Sequence, residues 1–295
     1  MREHEVLKLL ARRLDIGDDC AVIPFRGTNL LLTTDMLHGA TDFPEGVTAY
    51  TIGWRAAAVS LSDIAAMGGR PLGLVVALGA PEFERSLIEG LFSGLEDCCA
   101  SVQARLLGGD LDHHEELTLV STALGLAERP VRRSGAKAGD LVCVTGPLGR
   151  TAVALKLFEL DQLERANELF RFKPRIQEGL KLAPYASAMM DISDGLARSL
   201  YQLAEASDVG FRIEYEKVPV LPEVGELAQD AGERREMALY TGEDFELLFT
   251  IAEERLAATE GVIELAVIGR ALSEKKPLLL VEGQEEELED RGYEH

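Results

Sequence analysis

The chain has 295 residues, 46% hydrophobic and 27% charged, the balance of a soluble globular protein with one large or two ordinary domains. No run approaches the ~18 apolar residues of a membrane span, and Met1-Arg2-Glu3-His4-Glu5 lacks the apolar centre of a signal peptide, so a cytoplasmic protein is expected. A formal net charge of −21 argues against nucleic acid and anionic membranes as main partners, and four cysteines without CxxC spacing argue against a zinc site or redox dithiol.

Taken in chain order, residues 3–14 carry Val6, Leu7, Leu9, Leu10 and Leu14, the pattern of an amphipathic helix. After Gly17-Asp18-Asp19, two strands are expected at 20–24 and 30–34, joined by a turn at Gly27-Thr28-Asn29. Residues 47–67 predict a helix with an apolar stripe through Val47, Tyr50, Trp54, Leu61 and Ala65; Asp63 lies off that stripe, beside Arg55 and Val59. A strand at 72–78, a helix at 82–103, a turn at Gly108-Gly109-Asp110 and a strand at 117–126 follow. The stretch 128–140 is weakly periodic and marks the expected boundary, with domains at 1–134 and 135–295.

The second half predicts strands at 141–145, 187–191, 210–215, 245–251, 264–268 and 278–281. Helices are expected at 150–160, within 162–173 on the surface, at 196–206 and within 222–239. The acidic run 284–290 reads as solvated surface.

Seven aspartates stand in short Gly/Ser/Thr-flanked punctuations: Asp18, Asp19, Asp35, Asp63, Asp110, Asp191 and Asp194. Loops at element ends tend to hold reactive groups. Several carboxylates brought together repel unless cations lie between them, and oxygen-only ligands suit Mg²⁺. The chain therefore reads as a magnesium-dependent phosphate enzyme. Each motif also has a plainer reading: Asp18-Asp19 and Gly108-Gly109-Asp110 as turns, Asp63 as the polar face of an alanine-rich helix, and Ser193 or Asp194 as the N-cap of helix 196–206. Walker, kinase-type Gly-rich, HExxH and GxSxG motifs are absent from the sequence, and the five histidines show no metal spacing.

In order, the chain carries Gly17-Asp18-Asp19-Cys20-Ala21, Thr33-Thr34-Asp35, Ser62-Asp63-Ile64-Ala65-Ala66-Met67-Gly68, Gly108-Gly109-Asp110, Arg133-Ser134-Gly135, Asp191-Ile192-Ser193-Asp194-Gly195-Leu196 and Gly242-Glu243-Asp244-Phe245-Glu246-Leu247. This series resembles the thiamine-monophosphate kinase family, within the superfamily that includes aminoimidazole ribonucleotide synthetase. The resemblance implies a two-domain α/β (α+β) fold with mixed sheets and helices packed on them. It also implies a homodimer whose N-terminal domains share an intermolecular β-barrel, and ATP-dependent phosphorylation of thiamine monophosphate to thiamine diphosphate with several Mg²⁺ ions. Asp19, Thr33, Thr34, Asp35, Asp63, Asp110, Asp191 and Asp194 match its magnesium positions, with Asp35, Asp63 and Asp110 central to catalysis. Gly109, Asp110, Arg133 and Ser193 match nucleotide contacts, and Glu243 and Tyr293 match substrate contacts.

The family often has Glu-Gly-x-His-Phe where this chain reads Gly39-Ala40-Thr41-Asp42-Phe43, so Asp42 occupies the place of a substrate-contacting histidine. It faces the thiazolium cation, reaches substrate through metal, or serves only as a turn residue; His38 is a candidate substitute. Rival readings are another ATP enzyme of the superfamily, such as one making aminoimidazole ribonucleotide or selenophosphate, or a non-catalytic metal-binding scaffold. A selenide enzyme would be expected to carry a reactive cysteine in a Gly-rich N-terminal segment, and a carbamoyl-dehydrating hydrogenase maturation factor to end in cysteine. The present chain ends Tyr293-Glu294-His295, and only Cys20 lies near the N-terminal motif.

Overall fold

The computed structural model describes residues 16–259 and 261–293, with five isolated positions between 6 and 14. The helix expected over 3–14 lies largely outside the described residues, as do His4 and His295. Strands β1 (Ala21–Phe25) and β2 (Thr28–His38) form a hairpin in which Phe25 pairs with Thr28. Its two-residue turn is Arg26-Gly27, both left-handed at φ 48° and 85°, as such tight hairpins require. The turn thus falls before Thr28 and Asn29, which belong to the strand.

Along β2 the faces alternate: Leu31 and Leu37 point into the core with Thr33 and Asp35 on their side, while Leu32, Thr34 and Met36 face outward. Thr33-Thr34-Asp35 therefore sits inside an eleven-residue strand and not at the end of a shorter one. With β3 (Arg70–Ala80), β4 (Leu106–His113) and β5 (Thr118–Ala127) these strands make a sheet of order β1-β2-β5-β3-β4. Only β3 and β4 run parallel. Gly108-Gly109-Asp110, expected as a turn, lies within β4. A Cβ on Gly109 would meet Val76 O at 1.7 Å, so this glycine marks close approach of two strands.

Helix α1 (Ala49–Ala66) is buried around most of its circumference. It starts at Thr48, whose hydroxyl accepts from Thr51 N at 3.2 Å. It packs on β2 and β5, and crosses α2 (Arg85–Ser101) closely. Added Cβ atoms on Gly53 and Gly94 would lie 1.9 Å from Leu91 O and 2.0 Å from Tyr50 O. The two backbones touch because neither residue has a side chain.

The second half builds a seven-stranded mixed sheet of order β12-β11-β8-β10-β6-β9-β7. Its strands are β6 (Leu141–Val144), β7 (Ala186–Asp191), β8 (Gly210–Glu214), β9 (Leu247–Ile251), β10 (Ala266–Leu272), β11 (Leu278–Val281) and β12 (Gln284–Glu287). The acidic side chains of the run expected only as solvated surface are exposed, but the run also supplies β12, paired with β11, and buries Leu288. Helices α3 (Arg150–Glu159), α4 (Leu163–Phe170), α5 (Ile176–Leu182), α6 (Leu196–Ser207), α7 (Pro222–Leu227), α8 (Ala231–Leu239) and α9 (Glu253–Leu256) complete the half. The helix expected on the surface within 162–173 buries Ala166, Asn167 and Phe170.

One hydrophobic core runs from Leu31 and Ile64 through Phe172 and Ile176 to Met189 and Phe249, joining the two sheets. Helix α1 is the shared element, touching β2 and β5 on one side and α5 and β7 on the other. Functional groups on α1 can therefore face residues from both halves. Among the described residues no helix is long and apolar enough to cross a membrane.

Candidate active site

Four elements meet at a group of carboxylates. The loop before β1 supplies Asp19, β2 supplies Asp35, α1 supplies Asp63 and the end of β7 supplies Asp191. One oxygen each from Asp19, Asp63 and Asp191 lies within 4.8 Å of the other two. Hydroxyl groups orient the set: Thr33 donates to Asp63 Oδ2, Ser60 to Asp35 Oδ2 at 2.5 Å, and Ser62 to Asp191 Oδ2 at 2.5 Å. Arg133 Nη2 donates to Asp19 Oδ1 at 2.7 Å.

Burial, helped by the neighbouring carboxylates, raises Asp35, Asp63 and Asp191 above the ordinary carboxylate range, with Asp191 pushed up to about 7. Burial alone would lower the Arg133 guanidinium, but Asp19, Asp191 and Asp63 hold it above its usual value. Cys20 is buried beside the group, and burial together with those acids drives its thiol up, keeping it protonated.

The donor set suits a hard divalent cation. Its oxygens are close, Arg133 offsets only part of their mutual repulsion, and the buried Asp19 Oδ2 has no hydrogen-bond partner among the described residues. A cation between these carboxylates would supply the missing partner and lower their protonation range.

Other expected site residues fall in two further places. Thr34 faces away from the acid group, donating to Ser121 O at 3.1 Å. Gly109 and Asp110 lie on edge strand β4, three strand spacings from β2, or about 14 Å. Asp110 lines up through Ala77 and Val120 with outward-facing Met36. A single chain therefore does not bring Asp110 to Asp35 and Asp63.

The second place is a loop of unusual backbone at 241–246. Gly242, Glu243 and Phe245 all have positive φ, at 81°, 56° and 52°. Glu243 N donates to Ser193 O at 2.5 Å, Glu243 O accepts from the Thr151 hydroxyl, and Tyr293 N donates to Asp194 O at 3.1 Å. Burial first, then the carboxylates of Asp42, Glu243 and Asp194, raises the Tyr293 hydroxyl. These four side chains thus share one anionic neighbourhood. Asp42 also closes its own turn, accepting from His38 N at 2.7 Å and the Thr41 hydroxyl at 2.8 Å.

Neither Ser193 nor Asp194 caps α6. Gly195 holds that place at φ 101° and ψ 155°, a conformation only glycine adopts readily. Three residues are outside the expected set: Ser60, Ser62 and Arg55. Their signal is a polar side chain inside the otherwise apolar run Arg55-Ala56-Ala57-Ala58-Val59-Ser60-Leu61-Ser62.

Residues 17–127 match the family described as AIR synthase related protein, N-terminal domain, and residues 137–281 the corresponding C-terminal domain. A thiamine-monophosphate kinase of Halobacterium salinarum is 45% identical over 92% of this chain and 92% of its own length. One of Methanospirillum hungatei is 42% identical over 99% of this chain and 97% of its own. The solved structure of AaThiL complexed with AMPPCP and TMP superposes with a TM-score of 0.91 at 32% identity, covering 100% of this chain and 97% of that one.

The chain belongs to the thiamine-monophosphate kinase family.

Within that family frame, the acid group and the anionic neighbourhood of Glu243 are joined by Asp191-Ile192-Ser193-Asp194. This segment leads from the end of β7 to the α6 cap, and Phe245 N donates back to Ile192 O at 2.9 Å. Asp244 anchors the other side of the loop: its carboxylate accepts Gly149 N at 2.8 Å and Thr151 N at 3.4 Å, capping α3 from a distance. Burial pushes Asp244 up to about 7 despite those bonds. Glu246 is held by the Thr145 hydroxyl at 2.6 Å and by Arg175. The short segment 242–246 is thus tied to three elements at once.

Proposed function

We infer that the chain transfers the terminal phosphoryl group of ATP to thiamine monophosphate, giving ADP and thiamine diphosphate. The observation that carries this is the convergence of Asp19, Asp63 and Asp191 within 4.8 Å beside Arg133, in a chain 45% identical to a thiamine-monophosphate kinase. In the transfer, a bond forms between an acceptor phosphate oxygen and the γ-phosphorus while the β–γ bridging bond breaks. A phosphate monoester has its second pKa near about 6, so its oxygen is already largely anionic at neutral pH. The reaction asks for in-line placement and charge neutralisation, and needs no general base.

Asp19, Asp35, Asp63 and Asp191 would hold Mg²⁺, with Asp194 at the rim. Bound there, Mg²⁺ neutralises phosphate charge that the acidic chain would otherwise repel. Arg133, now donating to Asp19, has the planar fork to turn toward an ATP phosphate, and Ser193 borders the same segment. Asp42, Glu243 and Tyr293 provide carboxylates and a ring suited to a cationic heterocycle.

We further propose that the units are 1–134 and 135–295 and that the protein works as a homodimer. Ile23, Phe25, Leu32, Met36 and Val75 form an exposed apolar face on the side of the first sheet away from α1. A second copy covering that face is the source we assign for Asp110 and Gly109 in the site, consistent with their distance from Asp35 within one chain.

The test is product analysis after incubation with ATP, Mg²⁺ and thiamine monophosphate. Stoichiometric ADP and thiamine diphosphate are expected. ATP consumption only with another acceptor, such as selenide or formylglycinamidine ribonucleotide, would overturn the reading.

A further inference from the structure

Arg55 is a charged residue whose large side chain is fully buried. It lies on α1, is 0% exposed, and belongs to none of the motifs that mark the acid group. Its Nη1 donates to Phe170 O at 2.9 Å and its Nη2 to Glu243 Oε1 at 2.7 Å, a pair 188 positions apart in sequence. The guanidinium carbon lies 3.8 Å from the Phe170 ring centroid and 5.6 Å from that of Phe172. Phe172 in turn stacks on Phe245 at 4.1 Å and 10°. The planar cation is therefore clamped among aromatic rings, and the last ring belongs to the same loop as Glu243.

Glu243 is fixed by three separate contacts. Its N–H is bound to Ser193 O, its carbonyl to the Thr151 hydroxyl, and Oε1 to Arg55. Oε2 takes no hydrogen bond among the described residues, and the side chain keeps 23% exposure against 0% for Arg55. A buried ion pair is weak evidence for stability, because desolvating both charges offsets much of their attraction. Arg55 even leaves its Nε buried without a partner among the described residues. Such an arrangement makes sense as a device for holding one carboxylate in one orientation.

We propose that Arg55 is the positioning residue for the thiamine end of the site: it locks Glu243 through Oε1 so that Oε2 faces the cationic heterocycle of the acceptor. This rests on the reading of Glu243 as a thiamine contact. The carboxylate is presented pre-oriented, and binding does not have to freeze a free side chain. Lysine at this position keeps the charge but loses the planar fork and the stacking, so it is not an equivalent replacement.

The experiment measures steady-state kinetics with thiamine monophosphate and ATP varied separately, for the unsubstituted chain, Arg55→Lys, Glu243→Gln and the double variant. Arg55→Lys is expected to raise KM for thiamine monophosphate about tenfold while KM for ATP stays within about twofold. The double variant should be no worse than Glu243→Gln alone, within about twofold, because both act on one contact. If Arg55→Lys does not fold by circular dichroism, Phe172→Leu, which removes a clamping ring and leaves the hydrogen bond, should shift the same KM in the same direction.

An unchanged KM for thiamine monophosphate, an equal rise in both KM values, or fully additive losses in the double variant would each overturn the role of Arg55 while leaving the kinase reading intact. No turnover of thiamine monophosphate by the unsubstituted chain would overturn that reading and this one together.

Discussion

Ser62 donates to Asp191 at 2.5 Å across 129 positions of sequence, so a hydroxyl from the helix of one half sets the carboxylate at the end of a strand in the other. Ser62 is 0% exposed, and no solvent can replace its proton. Ser62→Ala should leave the fold intact and lower activity about 10- to 100-fold, the usual range for residues that orient metal ligands. The loss should appear as a higher Mg²⁺ requirement in a titration of initial rates. An unchanged Mg²⁺ dependence would show that Asp191 needs no such support.

Asp35 and Asp110 offer a test of the subunit arrangement. Asp35→Asn and Asp110→Asn should each be nearly inactive while retaining native circular dichroism. If each site draws Asp35 from one copy and Asp110 from another, a remixed 1:1 population contains half heterodimers, each with one intact site. Activity should recover to about a quarter of the unsubstituted value. Failure to recover after verified subunit exchange would place both residues in the same chain's site.

The pH dependence of stability has a definite sign. Asp191 and Asp244 both lie at about 7 in the fold against an ordinary 3.8, chiefly through burial. Folding therefore favours their protonated forms. Their contribution is complete below about pH 4 and is lost as pH rises through about 7, by roughly 2–4 kcal/mol each at most. Metal-free protein should melt at a higher temperature at pH 5 than at pH 8. Adding Mg²⁺ at pH 8 should recover the part due to Asp191, and Asp244→Asn should shrink the pH difference that remains. Equal melting temperatures at the two pH values in EDTA would contradict this.

Gly53→Ala should destabilise the fold despite alanine's better helix propensity of about 1 kcal/mol. The new methyl would sit 1.9 Å from Leu91 O, which forces α1 and α2 apart. Such overpacking typically costs about 1–3 kcal/mol and occasionally more, so the net loss is expected to be about 2 kcal/mol in urea denaturation. A stabilised variant would mean the helices are not held at this separation.

Much of the fold and site is legible in the sequence. The stripe on residues 47–67 gives α1, and the aspartate motifs single out Asp19, Asp35, Asp63 and Asp191, which do meet. What sequence spacing could not show is which strand face each residue takes. Thr33 and Thr34 are adjacent, yet only Thr33 turns toward Asp63. Gly108-Gly109-Asp110 has the composition of a turn, but its glycine serves strand contact with Val76. Arg55 was hidden for a different reason: its partners Phe170 and Glu243 lie 115 and 188 positions away, beyond any local pattern.

The Arg26-Gly27 hairpin carries one last implication. Because Phe25 pairs with Thr28, the count of residues from that bend to Asp35 decides which side of the sheet the carboxylate takes. Losing one residue there would present Met36 to the other acids, gaining one would present Thr34, and either would turn Asp35 to the outer face. A substitution at an outward position such as Leu32 leaves that placement intact, whereas an odd change in the length of the stretch does not.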